Sequence, residues 1–144
     1  MSKFCNIIEN ITSKHVYIQR SWQPGDTVSC EMEMEPERVY AHPMVRADAG
    51  CVALRRGPII YTFEGVDNGE DLQTLRIPRE AKIEVLPYQA DLLEGIVALR
   101  VTGCRKKTAV NPALYAEDAA PEEMVTLQAI PYYAWCNRGM THMR

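Results

Sequence analysis

Cysteine and histidine are the residue types in this sequence that come closest to a metal or nucleophile site. A zinc site usually needs three or four Cys, His or carboxylate ligands, with short gaps inside each ligand pair. Cys30, His42 and Cys51 are too widely spaced for that, and Cys136 and His142, a conceivable nucleophile and base, form no known motif. We therefore predict no catalytic residue, no metal site and no cofactor, and we read the cysteines as free thiols.

Two carboxylates, Glu64 and Asp67, lie beside an expected loop that follows an apolar segment. Glycoside hydrolases use a carboxylate pair, but the two groups belong to separate elements and are defined by their distance in space. Sequence spacing therefore cannot identify such a pair, and a structural role in the loop is the expected one. The sequence also contains no GxGxxG, P-loop, HExxH or GxSxG motif.

The segment Ile130–Gly139 reads IPYYAWCNRG and places three aromatic residues close together, at Tyr132, Tyr133 and Trp135. Exposed aromatic rings stack on sugars and anchor interfaces, and buried ones fill cores. In a strand, Tyr133 and Trp135 share one face. Packing of these two residues in the core is the main expectation, and an interface or a carbohydrate contact through the three aromatic residues remains the alternative.

Alternating apolar and polar residues at short intervals predict strands rather than helices. Thr27–Glu35 (TVSCEMEME) and His15–Trp22 are expected to form a hairpin around a turn at Gln23–Asp26. Seven further strands are expected at Arg38–Ala41, Cys51–Leu54, Pro58–Glu64, Thr74–Ile77, Lys82–Leu86, Gly95–Val101 and Val125–Ile130. This pattern predicts an all-β fold, an antiparallel, jelly-roll-like β-sandwich with an N-terminal β-hairpin.

The segments between the predicted strands carry turn signals and two weak helix signals. Gly57-Pro58 is expected to form a bend or bulge, and Val66–Gly69 a loop that ends in the turn dipeptide Asn68-Gly69. Only Pro87–Leu93 and Ala116–Glu123 carry weak helix signals.

Composition narrows the classes of function. The chain has 144 residues, a net charge of −3, 47% hydrophobic residues and 24% charged residues, which is typical of a globular domain. Lysine and arginine are not clustered into a basic face, so nucleic-acid binding is not expected. No apolar stretch is long enough to span a membrane, and the first residues do not form a secretory signal. A cytoplasmic location is expected.

Three blocks resemble one known family. Val52–Asn68 (VALRRGPIIYTFEGVDN) is similar to a VALxRGPxVYxxExxDN segment in the C-terminal β region of glycoside hydrolase family 127, the β-L-arabinofuranosidase-like proteins. Trp22–Asp26 (WQPGD) and Ile130–Gly139 resemble two further blocks of that region in the same order, and Leu114-Tyr115 fits between the second and the third.

The resemblance implies that this chain is not itself an enzyme. Such hydrolases carry a zinc-bound cysteine nucleophile, further Cys and Glu zinc ligands and a Glu acid/base in a helical barrel upstream, and no residue here matches them. The implied role is a non-catalytic accessory domain that braces a helical barrel or mediates subunit contacts. The alternative is a carbohydrate-binding module that uses Tyr132, Tyr133 or Trp135.

The same resemblance divides the chain at residues 42 and 43. Residues 1–42 are expected to be the remnant of a preceding β-sandwich, and residues 43–144 a C-terminal β-sandwich. The partners expected are a second copy or an upstream catalytic domain. The alternation predicts an apolar strand face formed by Val28, Cys30, Met32 and Met34, which is expected to pack on the second sandwich or on another chain.

Overall fold

The computed structural model describes residues 18–107, 115 and 117–144. The chain divides into two compact units, Met1–Met32 and Glu33–Arg144. Each unit is described by itself below.

The described part of the first unit contains a closed turn at the WQPGD block. The Asp26 N–H donates to the Gln23 carbonyl (3.0 Å), and the Gln23 N–H donates back to the Asp26 carboxylate (2.8 Å). Arg20 forms an ion pair with the same carboxylate (2.9 Å) and lies 5.1 Å above the Trp22 ring. The turn expected at Gln23–Asp26 is therefore present.

The expected hairpin around this turn is not formed in the described residues. No strand is present between residues 18 and 35, although Thr27–Glu35 has strand alternation. Residues 15–17, the start of the other expected strand, lie outside the described residues. Alternation alone does not make a strand, because a strand also needs a partner for its backbone N–H and C=O groups.

The second unit is built on one curled antiparallel sheet. Its strands are β1 (Pro36–Val39), β2 (Ala53–Arg56), β3 (Ile59–Phe63), β4 (Leu75–Arg76), β5 (Ile83–Val85), β6 (Leu99–Lys106) and β7 (Glu122–Pro131). The strand order is β1-β2-β3-β7-β6-β4, and β5 pairs with β6 on the same side as β4. The predicted all-β, antiparallel class is confirmed, and each of the seven later strands overlaps its predicted range. Two packed sheets are not seen in the described part.

Helical structure in the described residues is confined to short segments. They are α1 (Gly65–Asn68) and three 3₁₀ turns at Arg46–Asp48, Leu72–Thr74 and Tyr132–Ala134. No helix in the described part of the chain has the length and apolar character needed to cross a bilayer. The weak helix signal at Pro87–Leu93 was misleading, since this stretch is a loop closed by a bridge between Gln89 and Ile96.

The second weak helix signal was also wrong where the structure describes it. Residues 117–121 form no helix, and β7 begins at Glu122, inside the range Ala116–Glu123. Residue 116 lies outside the described residues.

One face of the sheet carries the main core. It is formed by strand residues of β2, β3, β6 and β7: Leu54, Tyr61, Phe63, Leu99, Val101, Leu127 and Ala129. The Tyr61 hydroxyl donates to the Val97 carbonyl (2.9 Å), and burial raises the pKa of this phenol. Gly103 leaves room for the Leu127 side chain, because a Cβ there would lie 2.4 Å from Leu127 Cδ1 and 2.9 Å from the Arg76 carbonyl oxygen.

A second apolar cluster lies on the opposite face of β6 and β7. Its buried members are Ile96, Ala98, Ile130 and Ala134, and the loop before β6 covers them with Leu86, Leu92 and Leu93. The faces are opposite because Ala98 and Leu99, like Ala129 and Ile130, are sequence neighbours that join different clusters.

Two local features involve the strands at the β1 end of the sheet. Gly57-Pro58 forms the two-residue loop between β2 and β3, with Gly57 at φ +56°, so a tight hairpin turn stands where a bend or bulge was expected. Arg38 of β1 donates to the carbonyls of Pro78 (3.5 Å) and Ala81, which lie between β4 and β5. The two edges of the sheet are thus brought together by one arginine.

Candidate functional site

The end of β3 carries a buried group of charges. Glu64 follows β3 and is fully buried, and Asp67 lies in α1 one turn later. Arg138 pairs with both carboxylates, through Nη2 to Glu64 Oε2 and through Nη1 to Asp67 Oδ1 (2.8 Å). The hydrogen bonds that Arg138 donates to Asp67 and to Glu64 raise the pKa of Arg138 despite its partial burial. One cation, which lies 74 residues from Glu64 in the sequence, therefore neutralises part of the charge of this carboxylate pair.

Glu64 also holds the turn that contains Cys136. Its second oxygen, Oε1, accepts the backbone N–H of Cys136 (2.8 Å). Cys136 has φ +64°, a left-handed conformation that is unusual for a residue with a side chain. The carboxylate thus stabilises a strained backbone position with one oxygen and binds an arginine with the other.

Asn68 extends this network to β7. Its side-chain N–H groups donate to the carbonyls of Glu64 (2.9 Å) and Gln128 (2.8 Å), and its Oδ1 accepts the Gln128 N–H (2.9 Å). Arg105 of β6 donates to the Asn68 carbonyl. Buried polar groups are stable when their hydrogen-bonding capacity is used in this way.

The last described residues pair with the end of β3. Phe63 and Arg144 exchange backbone hydrogen bonds (2.9 and 3.0 Å), and the Gly65 N–H donates to the His142 carbonyl (2.9 Å). The Thr62 hydroxyl also donates to the Arg144 carbonyl (3.1 Å). The strand end, α1 and the segment 136–144 are therefore one connected structure.

This arrangement is suited to structure rather than to acid–base chemistry. Glu64 has no exposed surface, both of its oxygens are engaged, and Asp67 is tied to the same arginine. A general acid or base must reach the proton that it transfers. The contacts agree with the structural role expected for Glu64 and Asp67.

The aromatic residues do not adopt the predicted arrangement. Residues 132–134 form a 3₁₀ turn, which places positions i and i+3 on one side. Tyr132 therefore stacks with Trp135, at a centroid distance of 6.3 Å and an interplanar angle of 14°, while Tyr133 is exposed. Core packing of Tyr133 was wrong. Trp135 is half-buried, and its indole N–H has no hydrogen-bond partner among the described residues.

Two grooves lie beside these elements. One, of about 210 Å³, is mainly apolar and is lined by residues that include Val52, Ile60, Thr62, Tyr132, Met143 and Arg144. The other, of about 440 Å³, is polar and is lined by residues that include Glu70, Asp71, Gln73, His142, Met143 and Arg144.

The candidate cysteine sites do not assemble in the described part of the chain. Cys30, Cys51, Cys104 and Cys136 are free thiols, and no group of three or more His, Cys, Asp or Glu residues could hold a metal there. Cys136 Sγ contacts the Gly139 carbonyl (3.6 Å). No hydrogen bond joins that thiol to His142 among the described residues.

The partnership of Arg138 with Glu64 and Asp67 was missed by sequence reasoning. The three residues come from two of the family-like blocks. Glu64 and Asp67 belong to Val52–Asn68, and Arg138 belongs to Ile130–Gly139. Opposite charges in two such blocks were the available signal. Nothing in their spacing, however, indicates that they meet.

Comparison with known proteins places these features in a family. The model of the glycoside hydrolase family 127 C-terminal domain matches residues 36–144. The matched region begins at Pro36, which is also the first residue of β1.

Individual family 127 proteins are also similar to this chain. A non-reducing end β-L-arabinofuranosidase of Bifidobacterium longum subsp. longum is 37% identical over 127 residues, which cover 83% of this chain and 19% of that protein. The crystal structure of a family 127 β-L-arabinofuranosidase from Geobacillus stearothermophilus T6 is similar with a TM-score of 0.73 and 50% identity, over 76% of this chain and 17% of that one.

A second solved structure, a family 127 β-arabinofuranosidase, is similar with a TM-score of 0.65 and 32% identity, over 77% of this chain and 16% of its own. The chain thus spans less than a fifth of the length of these relatives. It belongs to the family of glycoside hydrolase family 127 C-terminal domains.

Proposed function

We propose that this chain is a non-catalytic accessory domain of a β-L-arabinofuranosidase-like glycoside hydrolase, and that it braces a helical barrel or mediates subunit contacts. The observation that carries the proposal is the state of Glu64, which belongs to a family-like block. Its carboxylate is fully buried, paired with Arg138 and bonded to the Cys136 N–H. A group so completely engaged stabilises a domain and leaves the chemistry to another part of the protein.

The partial match to the relatives supports the same role. Because the chain corresponds to less than a fifth of each relative, most of a family-length protein lies outside it. The division expected between residues 42 and 43 stays a prediction, and the match to the C-terminal domain includes β1 (Pro36–Val39), which pairs with β2. The free thiols at Cys30, Cys51, Cys104 and Cys136 support a reducing, cytoplasmic location.

The test is removal of this domain from a relative of known activity. In the Geobacillus enzyme, deletion of the region that this chain matches is expected to lower the unfolding temperature or to change the oligomeric state. The barrel chemistry is expected to persist below the new unfolding temperature. Unchanged stability and unchanged assembly after the deletion would refute the accessory role.

A carbohydrate-binding module is the second candidate, and one observation favours it. Tyr132 is half exposed and is held in place by stacking on Trp135, with Tyr133 exposed beside it. A fixed aromatic ring is a good platform for the apolar face of a sugar. Titration of the Trp135 fluorescence with L-arabinose and arabino-oligosaccharides tests this role. A saturable change that Tyr132→Ala removes would support it.

A further inference from the structure

The apolar groove beside Tyr132 has the character of a protein-docking surface. Three apolar side chains on its lining remain substantially exposed: Ile60 by 43%, Tyr132 by 50% and Met143 by 40%. A cavity of about 150 Å³ accepts a benzene ring, so a groove of about 210 Å³ has room for one large apolar side chain.

The frame of this groove is held in place by contacts within the domain. Tyr132 stacks on Trp135, and the Thr62 hydroxyl and the Phe63 backbone hold Arg144. The turn after Trp135 is held by the bond from Cys136 to Glu64. A groove that is already ordered loses little conformational entropy when it binds.

The polar groups of the groove favour a protein segment over a sugar. The Thr62 hydroxyl already donates to the Arg144 carbonyl, so its one proton is used. The Arg144 guanidinium contacts Cys51 Sγ at 3.6 Å and has no carboxylate partner in the described part of the chain. The surface therefore offers an apolar slot with one cation at its rim, and its complement is an apolar side chain with a nearby carboxylate.

The length of the relatives indicates where that complement comes from. This chain corresponds to 19% of the Bifidobacterium protein and 17% of the Geobacillus enzyme, so a family-length polypeptide has about four fifths of its residues outside the domain. We propose that the groove formed by Ile60, Tyr132, Met143 and Arg144 is where that remaining polypeptide docks, with an apolar side chain in the slot and a carboxylate on Arg144. This inference rests on the proposed accessory function.

The test compares the same substitutions in two contexts. The first is the 144-residue chain alone, and the second is the Geobacillus enzyme in which this chain replaces the matching C-terminal region. Ile60→Asp disrupts the groove. Val85→Asp is the matched control, because Val85 is also a β-branched strand residue, is 40% exposed and lies outside the groove.

In the isolated chain, the two substitutions are expected to lower the unfolding temperature by similar, small amounts. In the chimera, Ile60→Asp is expected to cause a clearly larger decrease than Val85→Asp. Hydrogen exchange provides a second readout: amides of residues 59–63 are expected to exchange about tenfold more slowly in the chimera than in the isolated chain, and Ile60→Asp is expected to abolish that protection.

Several results would overturn the docking proposal. They are equal effects of the two substitutions in the chimera, unchanged exchange at residues 59–63, or failure of the unsubstituted chimera to fold. A dimer of the isolated chain that Ile60→Asp dissociates would assign the groove to a second copy. Saturable arabinose binding that Ile60→Asp abolishes would assign it to sugar.

The groove assignment and the proposed accessory function can be tested separately. If deletion of the whole region destabilises the Geobacillus enzyme but Ile60→Asp behaves like Val85→Asp in the chimera, the accessory role stands and only the groove assignment fails. If the deletion changes neither stability nor assembly, the accessory role itself fails.

Discussion

The backbone N–H of Cys136 donates to Oε1 of Glu64 across 72 residues of sequence, at 2.8 Å. A side-chain carboxylate at the end of β3 thereby fixes a backbone turn near the other end of the domain. The same carboxylate binds Arg138, so the conformation of the turn and the neutralisation of a buried charge depend on one group.

Arg138→Met is expected to be strongly destabilising. It would leave Glu64 buried without its cation, and breaking a buried ion pair from one side costs about 3–5 kcal/mol. Urea unfolding measures the loss, with Arg79→Met at an exposed site as the control. Adding Glu64→Gln to Arg138→Met is expected to recover part of the loss, because the amide carries no charge. An Arg138→Met midpoint equal to that of the control would contradict this account.

Gly57→Ala is expected to destabilise the domain by about 1 kcal/mol or more, because Gly57 has φ +56° in the turn between β2 and β3. A Cβ there would also lie 2.9 Å from Met34 Cε, the flexible end of a side chain. Chemical denaturation of Gly57→Ala with and without Met34→Ala separates the two causes. The loss is expected to persist without the methionine, and an unchanged midpoint for Gly57→Ala would show that φ is not restrictive.

Substitutions of Cys136 test the strain at its positive φ. Glycine adopts φ +64° without cost, whereas a β-branched residue is strongly disfavoured there. The expected order of stability is Cys136→Gly equal to or above the native chain, and Cys136→Val below it by about 1–2 kcal/mol. Thermal unfolding under reducing conditions measures the order. Equal stability of the glycine and valine variants would show that the turn relaxes.

The isolated chain is expected to lack glycosidase activity, since no residue in it matches the zinc and cysteine site implied by the family resemblance. The assay uses an aryl β-L-arabinofuranoside with and without zinc. The chain has five cysteines, Cys5, Cys30, Cys51, Cys104 and Cys136. Turnover above background that is lost on replacing any one of them would contradict the expectation. Turnover that survives all five replacements would point to a contaminant.

Self-association is expected to involve the face that carries Val28 and Met32. These side chains are 55% and 72% exposed, and no strand is present between residues 18 and 35 in the described part of the chain. Exposed apolar residues in a strand-like pattern favour pairing with a second copy. Light scattering at micromolar concentration is expected to show a dimer that Met32→Glu dissociates. A 16.3 kDa species with or without Met32→Glu would exclude it.

The sequence was informative about local structure and poor on long-range contacts. Short apolar or alternating segments bounded by turn residues located all seven strands of the sheet, including β3 and β7, which have consecutive buried residues at their ends. The pattern failed at Thr27–Glu35, where no partner strand is present in the described residues. Leucines in Pro87–Leu93 resembled a helix because they cover the second apolar cluster from a loop.

Local turns of the candidate site could be predicted from the sequence, but the contacts between distant segments could not. The turn at Asn68-Gly69 was expected, and Gly69 has φ +81°, but the hydrogen bonds from Asn68 to Gln128 were not. The stacking of Tyr132 on Trp135 depends on the 3₁₀ turn at Tyr132–Ala134, whereas strand geometry would place Tyr133 and Trp135 on one face. Such contacts depend on tertiary geometry that local patterns do not encode.

The contact of Arg38 with Pro78 and Ala81 has a consequence for aggregation. β1 is an edge strand, and a free edge is a template on which another chain can add a strand. The guanidinium of Arg38 binds carbonyls of the segment between β4 and β5. An incoming strand would meet a charged group engaged in these hydrogen bonds. Arg38 is therefore expected to hinder edge-to-edge polymerisation.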